Sequence, residues 1–130
     1  MKFLLDSNAV IGLLKGQEKF SKRLRRHRPA EFGLPCLVAH ELYYGAYKSL
    51  HVAQNLSRLD ALPFQVIEFD REDALLAAKL RASLSAAGTP IGPYDVLIAG
   101  QALSRGLTLI TRNTREFRRV PDLKIEDWEA

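Results

Sequence analysis

Residues 3–8 read Phe3-Leu4-Leu5-Asp6-Ser7-Asn8, a short apolar run that ends in a carboxylate. A helix-like pattern follows at once, which predicts a buried strand with Asp6 at its carboxyl end. Open α/β sheets bind their ligands at that end of their strands. Asp6 is therefore a candidate functional residue, although an acid at this place could also serve only as the cap of the following helix.

Two further acids, Glu41 and Asp95, lie in apolar surroundings. Carboxylates among apolar residues are costly to bury, so each needs a donor, a cation or a functional reason. A helical projection places Glu41 on the same side as Tyr44, where it can face a cleft. Asp95 lies in the first turn of a predicted helix, where an acid is favourable even without catalysis. Three such acids converging on one pocket would most simply be compensated by a divalent metal.

The rest of the chain alternates apolar strands with helices, which is typical of βαβ units and of a parallel sheet covered on both faces. We predict strands over residues 2–6, 32–36, 64–69, 107–111 and 124–128. We predict helices over residues 8–15, 17–27, 37–50, 51–62, 71–87 and 94–104. The predicted fold class is α/β, a three-layer α/β/α sandwich with a central parallel sheet, and residues 1–130 are expected to form a single domain.

The composition is that of a globular domain, with 47% apolar and 26% charged residues. No apolar stretch approaches the roughly 20 residues of a membrane span, and Asp6 interrupts the first apolar run too early for a secretory signal. We therefore expect a cytoplasmic protein without a membrane partner. The single Cys36 lies beside Leu34 and Leu37, and we expect it to be a small core residue in a reducing compartment.

The net charge of +4 is unevenly distributed. Basic residues gather in two groups, one at Lys15, Lys19, Lys22, Arg23, Arg25, Arg26 and Arg28, the other at Arg112, Arg115, Arg118 and Arg119. Such runs are usually solvated helix faces. Because the two groups flank the predicted acidic site, they also favour a polyanionic partner.

Other site chemistries find little support in the residues. His27, His40 and His51 have no metal-ligand spacing, and a single cysteine makes a zinc site improbable. The glycines match no dinucleotide or nucleotide-phosphate loop. Carboxylate oxygens are instead hard ligands suited to Mg²⁺ or Mn²⁺, and they leave coordination positions for water and phosphate.

Four motifs together resemble the PIN-domain ribonucleases, and among them the VapC toxins of bacterial toxin–antitoxin pairs. They are Leu4-Leu5-Asp6-Ser7-Asn8, Glu41-Leu42-Tyr43-Tyr44-Gly45-Ala46, Ile91-Gly92-Pro93-Tyr94-Asp95-Val96-Leu97-Ile98-Ala99 and Thr111-Arg112-Asn113-Thr114-Arg115-Glu116-Phe117. The resemblance runs from Phe3 to Trp128. It implies a compact parallel sheet with the acids at the carboxyl ends of the strands, and Mg²⁺- or Mn²⁺-dependent cleavage of RNA.

Carried over by position, the resemblance implies metal-site roles for Asp6, Glu41 and Asp95. Asp6 and Asp95 would be direct ligands, and Glu41 would either bind the ion or hold a bound water. We expect one firmly held ion and a second only with substrate phosphate.

The family often has a fourth acid after the last core strand, and Asn113 stands at the nearest equivalent place. Glu116, three residues further on, is the available carboxylate and is included among the predicted catalytic residues. Thr111 and Asn113 would support the site.

The mechanism that follows is in-line attack on a phosphodiester by metal-activated water, which leaves a 3′-hydroxyl and a 5′-phosphate. Arg112, Arg115 and the basic second helix would bind the RNA backbone, and Tyr44 or Tyr94 would stack on an unpaired base. The resemblance makes a structured RNA, a tRNA anticodon loop first, the expected substrate.

A VapB-type antitoxin would be the expected partner, docked on apolar faces of residues 17–27 and 51–62. A homodimer within the toxin–antitoxin complex is also expected, with operator DNA bound only through the antitoxin.

Three alternatives stay open at this point. A non-catalytic PIN-like interaction module would explain Asn113 in the place of the fourth acid. A small-molecule phosphatase is disfavoured because Asn8, rather than a second Asp, follows two residues after Asp6. A metal-independent ribonuclease using His40 or His51 would leave a cyclic phosphate and ignore EDTA.

Overall fold

The computed structural model describes all 130 residues and contains five strands and seven α-helices. The strands are β1 (Phe3–Leu5), β2 (Phe32–Pro35), β3 (Gln65–Ile67), β4 (Thr108–Ile110) and β5 (Ile125–Glu126). The helices are α1 (Ser7–Leu14), α2 (Glu18–Leu24), α3 (Cys36–Tyr47), α4 (Val52–Asp60), α5 (Arg71–Ala86), α6 (Pro93–Arg105) and α7 (Thr114–Phe117). Each predicted strand and helix is present, with ends shifted by a few residues. The prediction missed α7 and the 3₁₀ turn Pro29–Glu31, because elements of one turn carry no periodic signal.

The five strands form one parallel sheet in the order β3-β2-β1-β4-β5. The chain moves outward from β1 to β3, then crosses back to β4 and β5. Right-handed crossovers therefore place α1 to α4 on one face and α5 to α7 on the other. The contacts of α1 with α2 and α3, and of α5 with α6, agree with this arrangement. The predicted three-layer α/β/α sandwich is confirmed.

The reversal of strand order puts a crevice between the carboxyl ends of β1 and β4. These strands are neighbours, with Leu5 paired to Ile110, but the chain leaves them toward opposite faces of the sheet. Such a switch point is where α/β proteins bind ligands. The residues that directly follow these two strands are Asp6 and Thr111.

The packing of the core explains why apolar and polar residues do not alternate along the central strands. Leu4, Leu5, Leu109 and Ile110 are fully buried because helices cover both faces of the sheet. Burying each such side chain contributes about 2 kcal/mol. Near the end of the chain, Trp128 packs its ring 5.0 Å from that of Phe3, which ties the last residues to the central strand.

Two residues fix helix ends in ways that the chemistry of their side chains explains. Asp70 caps α5, since its side chain accepts a hydrogen bond from the Asp73 N–H at 2.9 Å and Asp73 reciprocates. Gly106 ends α6 in the left-handed region, with a φ of 64°, a conformation that favours glycine. The helices α5 and α6 pack closely at Gly100, where any Cβ would lie 2.6 Å from Ala77. This tight hairpin fixes the helix that carries Asp95.

One prediction about the core is wrong. Cys36 is exposed, because β2 ends at Pro35 and Cys36 is the first residue of α3, whose buried stripe begins at Val38. The apolar neighbours of Cys36 in the sequence therefore did not indicate burial. None of the helices combines the length and the apolarity that crossing a bilayer requires.

Candidate active site

Asp6 occupies the crevice between β1 and β4. It is 4% exposed, and its two oxygens have different donors. The Ser7 N–H donates to Oδ1 at 2.9 Å, and the Thr111 hydroxyl donates to Oδ2 at 2.8 Å. Burial raises the pKa of Asp6, and these two hydrogen bonds oppose the rise only in part. Asp6 is thus both the cap of α1 and a desolvated carboxylate at the ligand-binding end of the sheet.

Thr111 and Asn113 connect Asp6 to the next acid. The Asn113 backbone N–H donates to the Thr111 hydroxyl oxygen at 3.0 Å, and the Asn113 side-chain amide donates to Glu116 Oε2 at 3.0 Å. The Gly92 N–H donates to the other oxygen of Glu116. These hydrogen bonds, that of Asn113 first, lower the pKa of Glu116. In the folded protein Glu116, and not Asn113, is therefore the fourth acid of the site. Asn113 holds Glu116 near Asp6 and Asp95 through its side-chain amide.

Asp95 is half-buried in the first turn of α6 and directly neighbours Glu116. Its pKa is raised to about 7, first by burial and then by the charges of Asp6 and Glu116 and a hydrogen bond with Glu116. Gly92 leaves the space that both carboxylates use. A Cβ there would lie 3.0 Å from Asp95 Oδ2 and 3.4 Å from Glu116 Oε1.

Glu41 lies on the exposed side of α3, as the helical projection predicted. Val38, Leu42 and Ala46 form the buried stripe of that helix, and Glu41 is only partly exposed beside them. Its negative charge contributes to the raised pKa values of Asp6 and Asp95. The structure thus brings Asp6, Glu41, Asp95 and Glu116 into one electrostatically coupled group.

This acidic group fits a hard divalent cation in its chemistry and in its charge. Its donors are carboxylate oxygens, and their mutual repulsion adds to burial, the larger cause, in raising the pKa of Asp95 to about 7. In the observed side-chain conformations, no three such groups already converge on a common point that could hold an ion.

The predicted RNA-binding residues lie on the helices that carry the acids, or directly before one of them, and they differ in exposure. Tyr44 and Tyr94 are 62% and 45% exposed, on the helices that carry Glu41 and Asp95. Arg115 is exposed on α7, whereas the Arg112 guanidinium lies beside Glu129, with Nε 3.1 Å from Oε2.

In the basic second helix, Arg23 has a structural role. It pairs with Glu126 at 3.1 Å and lies over the Trp128 ring, 5.0 Å from its centroid.

Sequence reasoning missed three residues that position the site: Ser7, Asn8 and Gly92. Ser7 supplies a backbone donor to Asp6, and Asn8 Oδ1 accepts the Arg112 N–H at 3.1 Å. All three stand inside the motifs that carried the resemblance. Their proximity to the acids in the chain was the available signal, but their hydrogen bonds depend on the folded backbone.

Comparison with known proteins agrees with this architecture. The family profile described as "PIN domain" matches residues 3–123. A tRNA(fMet)-specific endonuclease VapC of Salmonella typhimurium is 38% identical over 130 residues, which cover 98% of both chains. A protein of the same name from Shigella flexneri is 36% identical over 130 residues, again 98% of both chains.

Among solved structures, DNA-bound VapBC from Salmonella typhimurium contains a chain that superposes with a TM-score of 0.92. That chain is 37% identical, and the alignment covers 98% of each chain. Sequence and fold therefore agree on one family along almost the whole length.

Proposed function

Because the chain belongs to the VapC family of PIN-domain proteins, we propose that it is a metal-dependent endoribonuclease, the toxin of a type II toxin–antitoxin pair. The observation that carries this proposal is the coupled group of Asp6, Glu41, Asp95 and Glu116 at the switch point of the sheet. Carboxylates whose pKa values are raised by burial and by mutual repulsion occur preferentially at functional sites. The substrate we propose is a tRNA, with initiator tRNA first, because two relatives are named for cleavage of tRNA(fMet).

The cofactor we propose is Mg²⁺ or Mn²⁺, held by Asp6 and Asp95 with Glu41 as a further ligand. When bound, such an ion lowers the pKa of a coordinated water and offsets the charge that develops on a phosphate. Asp6 contributes a carboxylate that Thr111 and the Ser7 amide hold in one orientation. Asp95 takes up a proton near neutral pH when no cation compensates its neighbours, so a cation and a proton compete for it.

Glu116 has a different role in this proposal. Its pKa is lowered by the hydrogen bonds of Asn113 and Gly92, so it stays ionised at neutral pH. Its negative charge, close to Asp95, helps to raise the pKa of Asp95. Glu116 is also the carboxylate available to a second ion, whose remaining ligands would be oxygens of the substrate phosphate. Arg112 and Arg115 would bind the flanking phosphates, and Tyr44 and Tyr94 offer exposed rings for an unpaired base.

The antitoxin we propose is of the VapB type, because the similar solved structures are VapBC complexes. A groove between α1, α3 and α4, of about 190 Å³, has the apolar lining that an amphipathic helix needs. Ile11, Leu14, Leu42 and Leu59 form much of that lining, and Glu41 lies at its edge. A basic side chain of the antitoxin could reach the acids from there.

The predicted docking face on residues 51–62 agrees with this groove. The face on residues 17–27 agrees less well, because Phe20 of α2 is buried in the core. Operator DNA is expected to bind through the antitoxin, with the toxin as a homodimer.

The test is cleavage of initiator tRNA by the purified protein with Mn²⁺, before and after EDTA. We expect cleavage that EDTA stops and Mn²⁺ restores, with 5′-phosphate products. Asp6→Asn should abolish cleavage while preserving the fold, since Asn is as good a helix cap as Asp. Glu72→Gln, an exposed acid on α5, is the matched control and should cleave normally.

Two results would contradict the proposal. Absence of cleavage by the pure protein would favour a non-catalytic interaction module. Cleavage that ignores EDTA and leaves cyclic phosphates would indicate histidine chemistry.

A further inference from the structure

A cleft beside the acidic group contains a carboxylate that the proposed chemistry does not use. The cleft has a volume of about 310 Å³, and its polar lining comes from Asn8, Lys15, Gln17, Arg112 and Glu129. It adjoins the acidic group, because Arg112 directly follows Thr111 and its N–H is bound by Asn8 at 3.1 Å. A molecule seated in this cleft would therefore neighbour the reacting phosphate.

Glu129 is the unusual member of this lining. Its side chain is 7% exposed, yet Oε2 is buried without a hydrogen-bond partner. Nε of Arg112 lies 3.1 Å from Oε2, but its N–H is not directed at that oxygen, so the contact is only electrostatic. A buried carboxylate oxygen without a donor is costly and rare in native proteins. A ligand that brings N–H donors would satisfy it.

Gly12 leaves the space that this carboxylate occupies. A Cβ on Gly12 would lie 2.6 Å from Oε1 of Glu129 and 3.0 Å from its carboxyl carbon. Gly12 is buried within α1, where glycine costs about 1 kcal/mol relative to alanine. The position of the Glu129 carboxylate accounts for this otherwise unfavourable residue.

The charges of the cleft favour a nucleotide over a basic side chain of a protein partner. Lys15 and Arg112 flank the single carboxylate, so a guanidinium or ammonium would meet more repulsion than attraction. A nucleotide instead offers phosphate to the two cations and base N–H groups to Glu129. Arg and Lys also bind guanine O6 and N7.

Guanine is the base whose donors fit a carboxylate. Its N1–H and N2–H₂ groups are adjacent, so they can donate to both oxygens at once. In adenine and cytosine the amino group neighbours a ring-nitrogen acceptor, and in uracil the single N–H lies between two carbonyl oxygens. Each of those acceptors would face the carboxylate and be repelled.

We propose that Glu129 and Gly12 form a guanine-binding subsite next to the cleaved bond, in which the Glu129 carboxylate turns from Arg112 into the cleft to accept from N1–H and N2–H₂, while Lys15 and Arg112 bind the phosphates. This proposal rests on the proposed ribonuclease function and adds a base preference to it. Such a subsite would let the protein recognise a base in the RNA, which contacts to the phosphate backbone cannot do.

The direct test is a titration with nucleotides in which the NMR signals of the Gly12 amide and the Trp128 indole report binding. 5′-GMP is expected to bind at least about tenfold more tightly than 5′-AMP, with 5′-IMP, which lacks the 2-amino group, in between. Glu129→Gln should remove this preference, and Gly12→Ala should do the same while keeping or raising stability. Glu72→Gln is the control that retains it. Equal binding of GMP and AMP, or tighter binding of arginine amide than of GMP, would overturn the proposal.

Cleavage of a random-sequence RNA pool separates the two proposals. The parent protein with Mn²⁺ should show guanine enriched at one fixed position beside the cut, and Glu129→Gln and Gly12→Ala should lose that enrichment. Cleavage without guanine enrichment would overturn the subsite and leave the ribonuclease function standing. A GMP preference in a protein that cuts no RNA would support the subsite and contradict the ribonuclease function.

Discussion

The Thr111 hydroxyl donates a hydrogen bond to Asp6 Oδ2 at 2.8 Å, across the carboxyl ends of β1 and β4. This contact joins residues 105 positions apart in the chain, at the point where the sheet reverses its strand order. Both residues are almost fully buried, so the bond is shielded from water. It orients one oxygen of Asp6 and leaves the carboxylate little freedom to turn.

Removal of this hydroxyl is the first prediction. Thr111→Val would leave Asp6 Oδ2 buried without its donor, which should destabilise the fold by about 1–3 kcal/mol. The pKa of Asp6, already raised by burial, should rise further, and cleavage of tRNA should fall by at least about tenfold. Urea unfolding and initial cleavage rates measure the two effects. Thr111→Ser, which keeps the hydroxyl, should behave like the parent. A Val variant of full activity would show that this orientation is unimportant.

The second prediction concerns pH and Asp95. Its pKa is about 7 in the folded protein without a cation, above the ordinary value near 4 of the unfolded chain. The folded state therefore holds more protons on Asp95 between these values, and the contribution of Asp95 to the free energy of unfolding decreases as pH rises from about 4 to about 7.

Asp95→Asn should remove that decrease. In EDTA the variant should match the parent at pH 4 and unfold a few degrees higher at pH 8, as measured by thermal unfolding. The same variant should lose cleavage activity. An equal difference in unfolding temperature at both pH values would contradict this assignment of the titrating group.

The third prediction concerns the ion pair that holds α6 against α5. Asp73 of α5 is fully buried, and Arg105 of α6 lies 3.1 Å from it. Burial alone would raise the pKa of Asp73, but hydrogen bonds led by that of Arg105 lower it overall. Arg105→Met would leave this carboxylate without its cation and should cost about 2–4 kcal/mol at pH 7.

The stabilisation by this pair has a predictable pH dependence. It is fully present above the unfolded pKa of Asp73, near 4, and is lost as pH falls through the lower folded value. Urea unfolding at pH 7 and pH 3 should therefore show a smaller cost of Arg105→Met in acid. A cost that does not shrink would indicate that the lost packing of Arg105 dominates.

The fourth prediction concerns Gly92. Its backbone φ of −54° suits any residue, so alanine should fold normally there. The added Cβ would lie 3.0 Å from Asp95 Oδ2 and should displace the Asp95 and Glu116 carboxylates. We expect Gly92→Ala to lose at least about tenfold in cleavage rate without loss of stability, since small displacements at a catalytic site are costly. Gly45→Ala on α3, which meets no atom within 4 Å, is the control. Full activity of Gly92→Ala would contradict the packing argument.

Much of the site was predictable because its signals are local. Asp6 stands at a strand-to-helix junction, and Asp95 stands in the first turn of a helix that follows another helix through a short loop; periodicity located both helices. The position of Glu116 was harder, because α7 is a single turn and the Asn113 amide that holds Glu116 acts only after folding. The cleft at Glu129 was not predictable, since Glu129 and Gly12 are far apart in the chain and come close only in the folded protein. For Cys36 the local signal was misleading: its apolar neighbours in the sequence suggested burial, but at the start of a helix its side chain is exposed.

The most direct test of the central proposal is calorimetric titration of the purified protein with Mn²⁺ at pH 7.5. We expect one ion per chain, with release of protons at pH 6.5 because Asp95 must ionise. Asp6→Asn and Asp95→Asn should each weaken binding at least about tenfold, while Glu72→Gln should bind like the parent. A parent protein that binds no Mn²⁺, or Asp6 and Asp95 variants that bind it equally well, would contradict a metal site at these carboxylates.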